Sequence, residues 1–535
     1  MLLMNFNIPE NENTPLVKRL VENINQLSKE IIYLKEELLK LKNETIRPKI
    51  KPSKLNDSNN EDGNKSKRKS TKGIKKNKKS IEIHEEKVIQ PDKIPEDAIF
   101  VKYYEIEVQD IIFKPHNTRY KLAQYRTKDG KYITAKLPNN SISKHFGVEL
   151  CTFILYQYHH QHVTQPLLLE QIRDMGIEIS SGQLNNIITE RLEGFHQEKN
   201  DILKAGLINP KYIQTDDTGA RHQGINGYCT QIGNEFFTWF ESTQRKSRIN
   251  FLELLSNGVD KTLYTLNDIS LEYMQKQQLP QKYYSKLENI EISLTDKDEF
   301  SKWLETQEIT TPKNIRTVTE AALIGGLTTQ GIPVDLSIIS DGARQFNVFD
   351  HAMCWVHAER TVNRLIPIDD ENKVLVKDTR EAIWNLYQKL REYKLNPALN
   401  TKDIINSEFD EFANKTTTYD ALNKALKYFK NNKSDLLKVL ENPDIPLHNN
   451  LSERDIRDYV KKRKISGSTR SENGRKARDT FASLKKTCKK LAFSFNKYLH
   501  DRISGENDIY ELKKKVLVQH KQNTQENYTL KGLAR

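Results

Sequence analysis

Between residues 211 and 341, strand, hairpin and helix signals follow one another in a single order, and no other feature restricts the fold so strongly. Short apolar runs predict strands at Tyr212–Thr215, Gly227–Ile232 and Glu235–Glu241, the last two joined by the hairpin pair Gly233-Asn234. Ile249–Leu255 has the spacing of an amphipathic helix, and Pro333–Ser340 reads as a buried strand. The first strand runs into Asp216, and the last into Asp341, which Gly342 follows. A third acid, Glu453, lies in Leu-His-Asn-Asn-Leu-Ser-Glu-Arg-Asp-Ile-Arg, which reads as the opening of a helix. Two carboxylates at strand ends and one on a later helix can gather around a pair of Mg²⁺ ions, with Mn²⁺ as a substitute. Such a pair clamps the attacking and leaving oxygens of a phosphodiester exchange.

The chain has 535 residues, too many for one hydrophobic core, so several domains are expected. Hydrophobic residues make up 36% and charged residues 29%, a balance that predicts some extended or disordered segments. A net charge of +13 favours a polyanionic partner. Double-stranded DNA fits the phosphodiester chemistry, although charge alone suits ribosomal or membrane-surface binding equally. Cys151, Cys229, Cys354 and Cys488 are widely separated and form no C-x-x-C, which argues against a disulfide framework and a four-cysteine zinc site. No apolar stretch is long enough to cross a membrane and the start is not signal-like, so a soluble, cytoplasmic protein is expected.

Val17, Leu20, Ile24, Leu27, Ile31, Leu34, Leu38 and Leu41 alternate spacings of three and four, a heptad pattern predicting a coiled-coil helix over 13–46 that pairs two copies. An amphipathic helix docked on its own domain is the alternative. Residues 47–96 read as a basic disordered linker, with nine basic residues in the fifteen from Lys65 to Lys79. Over 97–140 a small β element is expected, from the alternating Tyr104–Phe113 and a hairpin of Arg119–Thr127 and Lys131–Lys136 around Asp129-Gly130. Residues 141–205 are helical. Pro166 to Asp174, a break at Gly176, and a helix capped by Ser180-Ser181 running to about Glu193 follow the helix-turn-helix plan, which any helical hairpin also gives. Gln183, Asn185 and Asn186 open the second helix and are residue types able to bond base edges. His159, His160 and His162 lack a matched Cys or His nearby and read as a polar helix face.

The strand and acid order from 206 to 500 matches a ribonuclease-H-like domain with insertions at about 260–325 and 360–445. The stretch 351–443 is read as helical, with Trp355, Leu365, Trp384, Leu386 and Leu390 as core. After Glu453 come Lys461-Lys-Arg-Lys464, the loop Ser466–Gly474 and a basic helix Arg475–Leu491. Arg454, Arg457, Lys461, Lys462, Arg463, Lys464, Arg470 and Arg475 are candidates to track phosphates, against the plainer reading of a solvated helix face. Residues 501–535 read as a polar tail.

Three blocks resemble the DDE transposases of the bacterial insertion-sequence family numbered sixty-six. Asp216-Asp217-Thr218-Gly219 stands where that family has Asp-Glu-Thr-Pro. Cys354-Trp355-Val356-His357-Ala358-Glu359-Arg360 matches its Cys-Trp-x-His-x-x-Arg. Asn450-Leu451-Ser452-Glu453-Arg454-Asp455-Ile456-Arg457 matches its Asn-x-x-Glu-Arg-x-x-Arg. The family's leucine-rich amino-terminal helix, basic spacer and helix-turn-helix extend the likeness over most of the chain. Relatives often carry a small cysteine-based zinc module after the spacer; residues 100–138 contain no cysteine, so a zinc-free hairpin is expected there. The interval between the two aspartates is also longer than usual in the family.

The resemblance implies an Mg²⁺-dependent transposase that cleaves and joins the terminal inverted repeats of an insertion sequence to target DNA. It implies a bacterial, nucleoid-associated protein, a homodimer on DNA, and room for accessory transposition proteins. Asp216, Asp341 and Glu453 become metal ligands, and His357 a group that positions phosphate or shapes the site. The residues leave other readings open. Asp217 faces away from Asp216 and suits a supporting or exposed place. Glu453 also suits the first turn of a helix capped by Asn449 or Asn450. His357 would fit a core beside Trp355, or pair with Cys354 on zinc, although no second pair is in view. A catalytically silent DNA-binding regulator and a nuclease without strand transfer are the rival functions.

Overall fold

A computed structural model describes residues 82–95, 98–137, 143 and 145–520, together with the isolated positions 23, 26 and 27. The expected coiled coil therefore lies outside the described residues apart from those three helical positions, as do most of the basic linker and residues 521–535. The described residues fall into two units that divide at Phe113 and Lys114. In the first, residues 82–95 and 98–113 are extended and exposed and form no strand, so the alternation of Tyr104–Phe113 is not realised as β structure. Alternation suits a strand only where a neighbouring edge and a core face are available to it.

In the second unit the expected hairpin is present but short. Strands β1 (Gln124–Arg126) and β2 (Tyr132–Thr134) pair antiparallel, with Gly130 at φ +80° closing the turn. Helix α1 (Val148–Leu155) runs into a π turn at Tyr156–His160. That turn corrects the polar-face reading of the histidines: His159 is buried, with its ring 4.1 Å from that of Phe481. Helix α2 (Gln165–Asp174) starts with Pro166 in its first turn. After Gly176, at φ +80°, helix α3 (Ser181–Thr189) begins at a capping box. The Ser180 hydroxyl accepts from Gln183 N at 3.2 Å, and Gln183 Oε1 accepts from Ser180 N at 2.9 Å. α3 stops at Thr189, short of the expected Glu193, because Glu190 is extended and Arg191 takes φ +56°; α4 (Glu193–Leu207) follows.

The central sheet contains β3 (Ile213–His222), β4 (Ile225–Gly233), β5 (Thr238–Thr243), β8 (Ser337–Ser340) and β9 (Asp350–Met353) in the order β5-β4-β3-β8-β9. β3, β4 and β5 form an antiparallel meander, while β8 is parallel to β3 and β9 to β8. The sequence reading missed β9, having read 351 onward as helix. Asp-His-Ala-Met lacks the β-branched signature of a strand, and only the β8 edge makes it one. α1 to α4, the sheet, α5 (Arg248–Ser256) and the last helices, from Ala477 to Ile503, share one hydrophobic core.

The region between β5 and β8 holds a two-stranded ribbon, β6 (Tyr264–Thr265) with β7 (Ser293–Leu294), and helices α6 (Asp268–Lys276), α7 (Gln281–Leu287), α8 (Lys297–Thr306) and α9 (Pro312–Thr329). α9 is not a polar insertion: every residue from Thr317 to Leu327 is buried. It approaches the ribbon so closely that a Cβ on Gly326 would stand 1.8 Å from Leu263 O, and one on Gly325 2.1 Å from Thr265 O. After β9 comes α10 (Trp355–Asn363). Helices α11 (Asp370–Leu395), α12 (Leu399–Ala413) and α13 (Asp420–Asn431) then build a second core around Trp355, Phe409 and Phe429. Leu386 and Leu390 join it as expected, whereas Trp384 is largely exposed and packs edge-on against Tyr387. The short α14 (Lys433–Leu436) precedes α15 (Asn450–Ser466), α16 (Glu472–Lys490) and α17 (Phe495–Ser504). The expected polar tail contributes Leu512 and Val516 to the main core.

Candidate active site

β3 is buried at its start and polar beyond. Ile213 and Gln214 complete the parallel ladder with β8, and the antiparallel ladder with β4 continues to His222. Asp216 therefore sits just past the parallel pairing but in mid-strand, not at a strand end; β4 supplies hydrogen bonds that let the polar residues 217–222 remain extended. Asp217 is held by Thr230 Oγ1, which donates at 2.6 Å, and by Gln345 Nε2, which donates at 2.8 Å. Among the described residues, Asp216 accepts from the Asp217 amide alone, at 2.8 Å. Burial raises its carboxyl to about 7, and Asp341, Asp217 and Glu453 push in the same direction. The three acids singled out in the sequence thus lie in one electrostatic neighbourhood.

Asp341 follows β8 directly. Its Oδ1 accepts from Ala343 N at 2.9 Å across a turn in which Gly342 takes φ +90°. The positive φ calls for glycine; the Met353 methyl, 2.8 Å from where a Cβ would stand, is the end of a flexible side chain and could give way.

Glu453 reaches this neighbourhood because the start of α15 is fastened to β3 and to the start of α10. Asn449 Nδ2 donates to Thr215 O at 2.9 Å, and Asn449 N to Cys354 Sγ at 3.2 Å. Gln214 Nε2 donates to His448 O at 3.0 Å, and Ser452 Oγ to Gln231 Oε1. The Asn449 side chain makes no cap bond; the amide expected to cap the helix instead ties it to the sheet. Cys354 is buried, with burial raising its thiol, and its sulfur accepts from that backbone amide.

The Glu453 and His357 side chains are 21% and 22% exposed, with Glu453 Oε1 3.6 Å from His357 Nε2 and 3.6 Å from Arg360 Nη2. Burial lowers the His357 pKa, and Arg360 lowers it further. Glu453 Oε1 and His357 Nδ1 are buried with no hydrogen-bond partner. Among the described residues no three His, Cys, Asp or Glu side chains are drawn together as a ready-made metal cage. The donor chemistry still fits a hard divalent cation: Asp341 and Glu453 add to the raised proton affinity of the buried Asp216, and Glu453 Oε1 is buried without a hydrogen-bond partner.

The candidate DNA contacts divide into two groups. Arg454, Arg457, Lys461 and Lys464 are exposed at spacings of three and four along α15, and Arg470 is exposed in the loop after it. Lys462 is buried: its Nζ donates to Tyr158 O at 2.8 Å and lies 3.6 Å from the centre of that ring. Arg463 is half-buried and donates to Thr218 Oγ1 at 3.0 Å, and Arg475 to Ser242 O at 3.2 Å. These three serve the fold, because in a helix against a sheet every third or fourth side chain faces inward whatever its charge. Asn185 likewise turns inward, its Oδ1 accepting from Gln165 Nε2 at 3.2 Å, and Gln183 is engaged in the capping box; Asn186 is exposed. Sequence reading missed the roles of Arg360, Asn449 and Gln214. The Cys-Trp-x-His-x-x-Arg block carried a signal for the first, Asn449 was marked only as a helix cap, and nothing local marked Gln214.

The profile described as Transposase IS66 family matches residues 337–477, from β8 into α16, a span that holds Asp341, His357, Arg360 and Glu453 but not Asp216. The chain is also 40% identical over 305 residues to "Uncharacterized protein y4jO" of Sinorhizobium fredii (strain NBRC 101917 / NGR234). That alignment covers 56% of this chain and 94% of the relative.

Proposed function

Since the chain belongs to the IS66 family of transposases, we propose that it cleaves the ends of an insertion sequence and joins them to target DNA, using Asp216, Asp341 and Glu453 to hold two Mg²⁺ ions. Mn²⁺ can replace them. The observation that carries this reading is the buried Asp216 carboxyl, raised to about 7 chiefly by burial, with Asp341, Asp217 and Glu453 adding to the rise. Carboxylates crowded at such cost are relieved by a divalent cation, and the unsatisfied Glu453 Oε1 offers it an oxygen. When bound, such ions supply Lewis acidity at the attacking and leaving oxygens of the phosphodiester.

The chain's own residues do the rest. β3 carries Asp216, and its parallel neighbour β8 leads directly into Asp341. The Asn449 and Gln214 bonds tie the start of the Glu453 helix to β3. The sheet order supports a ribonuclease-H-like catalytic domain. α2 and α3 act as a helix-turn-helix that reads the terminal inverted repeats, with Asn186 the exposed base-reading candidate, while Arg454, Arg457, Lys461, Lys464 and Arg470 track phosphates. The amino-terminal heptads pair two copies so that two ends are held together. The described residues contain no helix long and apolar enough to cross a membrane.

Glu453→Gln tests the reading, since the amide keeps size but loses the charge that holds metal. The variant is expected to bind end-containing duplex as the parent does and to lose strand transfer. Joined product at the parental rate would remove Glu453 from the metal site.

A further inference from the structure

At the acid site a guanidinium, that of Arg360, lies between His357 and Glu453. Arg360 lies one helical turn after His357 on α10. Its Nη1 is 2.8 Å from His357 Nε2, and its Nη2 is 3.6 Å from Glu453 Oε1. A guanidinium has five N–H donors and no acceptor, so in a 2.8 Å contact the imidazole nitrogen must be the acceptor. Nε2 therefore presents its lone pair to Arg360, and the ring proton is on Nδ1. Nδ1 is itself buried and without a partner. Nε2 is thus taken by Arg360, and Nδ1, though unpaired, is shut off from the surface where a substrate oxygen would arrive. Arg360 differs: its side chain is 38% exposed, and its fork is held at the edge of the acid site with N–H groups to spare.

We infer that Arg360 is the residue that contacts the DNA phosphate at this site, and that His357 is a positioning residue whose Nε2 fixes the plane of the guanidinium. The inference rests on the phosphodiester reading of the site and names within it which cation meets the substrate. Arginine suits the task because its planar fork pairs two N–H groups with two phosphate oxygens, which a lysine cannot do.

Full-length Arg360→Met, Arg360→Lys, His357→Gln and His357→Leu are compared in single-turnover cleavage of an end-containing duplex with Mg²⁺. Binding of the same duplex in Ca²⁺ and thermal midpoints serve as controls for folding. Arg360→Met is expected to lose roughly 100-fold in cleavage rate, the usual scale for one charged donor at a reacting oxyanion. Arg360→Lys should recover part of that loss. His357→Gln, which offers an amide oxygen near the place of Nε2, should stay within about tenfold of the parent, whereas His357→Leu should fall as far as Arg360→Met. The double variant His357→Leu/Arg360→Met should be no slower than Arg360→Met alone.

A second readout needs no activity. Two-bond ¹H–¹⁵N spectra of [¹⁵N]histidine protein, with His357 assigned by its loss in the His357→Gln variant, should show the proton on Nδ1 and its transfer to Nε2 in Arg360→Met. Parental cleavage by Arg360→Met, or a collapse of His357→Gln to the level of His357→Leu, overturns the assignment, as does an Nε2–H tautomer in the parent. Failure of the parent to cleave at all would sink the phosphodiester reading instead, and the tautomer would still decide the positioning role.

Discussion

Lys462→Met should make this protein more stable at neutral pH, and the gain should vanish as the solution becomes alkaline. Lys462 is 5% exposed, and among the described residues it forms no ion pair. Burial pushes its ammonium down to about 7, and Arg478 and Lys485 lower it further. The usual value is 10.5, and each tenfold loss of proton affinity is worth about 1.4 kcal/mol. The cost of carrying the charge at pH 7 is therefore at most about 5 kcal/mol. Methionine forfeits the bond to Tyr158 O and the cation–π contact, together about 2 kcal/mol, and the unbranched thioether fits the same channel. The net expectation is a gain of about 2 kcal/mol at pH 7.

The sign of the pH dependence follows from the depressed value. The folded chain holds this proton less tightly than the unfolded chain, so the unfolded state binds more protons between about pH 7 and 10 and parental stability rises across that window. The penalty is complete below about pH 7 and relieved toward pH 10; the variant lacks that slope. Urea midpoints of the two proteins at pH 6.5, 8 and 9.5, compared at equal m-value, measure the difference. A difference flat across pH, or a variant weaker than the parent at pH 7, would refute the reasoning. Binding to end-containing DNA should not change, since the ammonium does not reach the surface.

Two further expectations concern the links between sequence signals and the site. Asn449→Ala removes a fully buried donor from Thr215 O and should cost about 1–3 kcal/mol in a denaturant titration, with cleavage falling further than stability because Glu453 loses its tether. Asn186→Ala should weaken binding to the terminal repeats by about 10- to 100-fold in fluorescence anisotropy while leaving random duplex unaffected. Asn185→Ala, whose side chain faces Gln165, should leave that ratio intact; equal effects from both would remove α3 from base reading.

The sequence was legible where one local rule governs. The capping box at Ser180, the turn at Gly130, the α5 helix and the strand that ends at Ser340 depend on a few neighbouring residues, and the structure has each. Asp341 follows its strand and Glu453 opens its helix as read, whereas Asp216 lies in mid-strand rather than at a strand end. Reading failed where a distant partner decides. β9 exists only because β8 offers an edge, β3 runs past Asp216 only because β4 pairs with it, and Tyr104–Phe113 stays extended without a ladder. Charge was the least legible property. Lys461, Lys462, Arg463 and Lys464 are one basic run in the sequence, yet the helix turns Lys461 and Lys464 outward and spends Lys462 and Arg463 on backbone oxygens of the π turn and β3.

That division also explains why Glu453 can serve a site begun far upstream. The α11–α13 core packs around Trp355, the first residue of α10, whose indole donates to Leu436 O at 2.7 Å and whose backbone amide donates to Leu447 O at 3.0 Å. Two bonds from one residue thus set both ends of the segment leading into α15. Cys354, its neighbour, accepts from Asn449, and Asn449 grips the residue before Asp216. The Cys-Trp-x-His-x-x-Arg block is therefore a joint: its first two residues dock the helical insertion and the start of α15 onto the sheet, and its last two named residues face Glu453. A helical insertion of any length is tolerable between the second and third acids as long as its chain returns to that joint, since loop length adds closure entropy only slowly. The distance in sequence between Asp341 and Glu453 is then no obstacle to their meeting, and the geometry of the acid site is set by Trp355 and Asn449 rather than by the insertion itself.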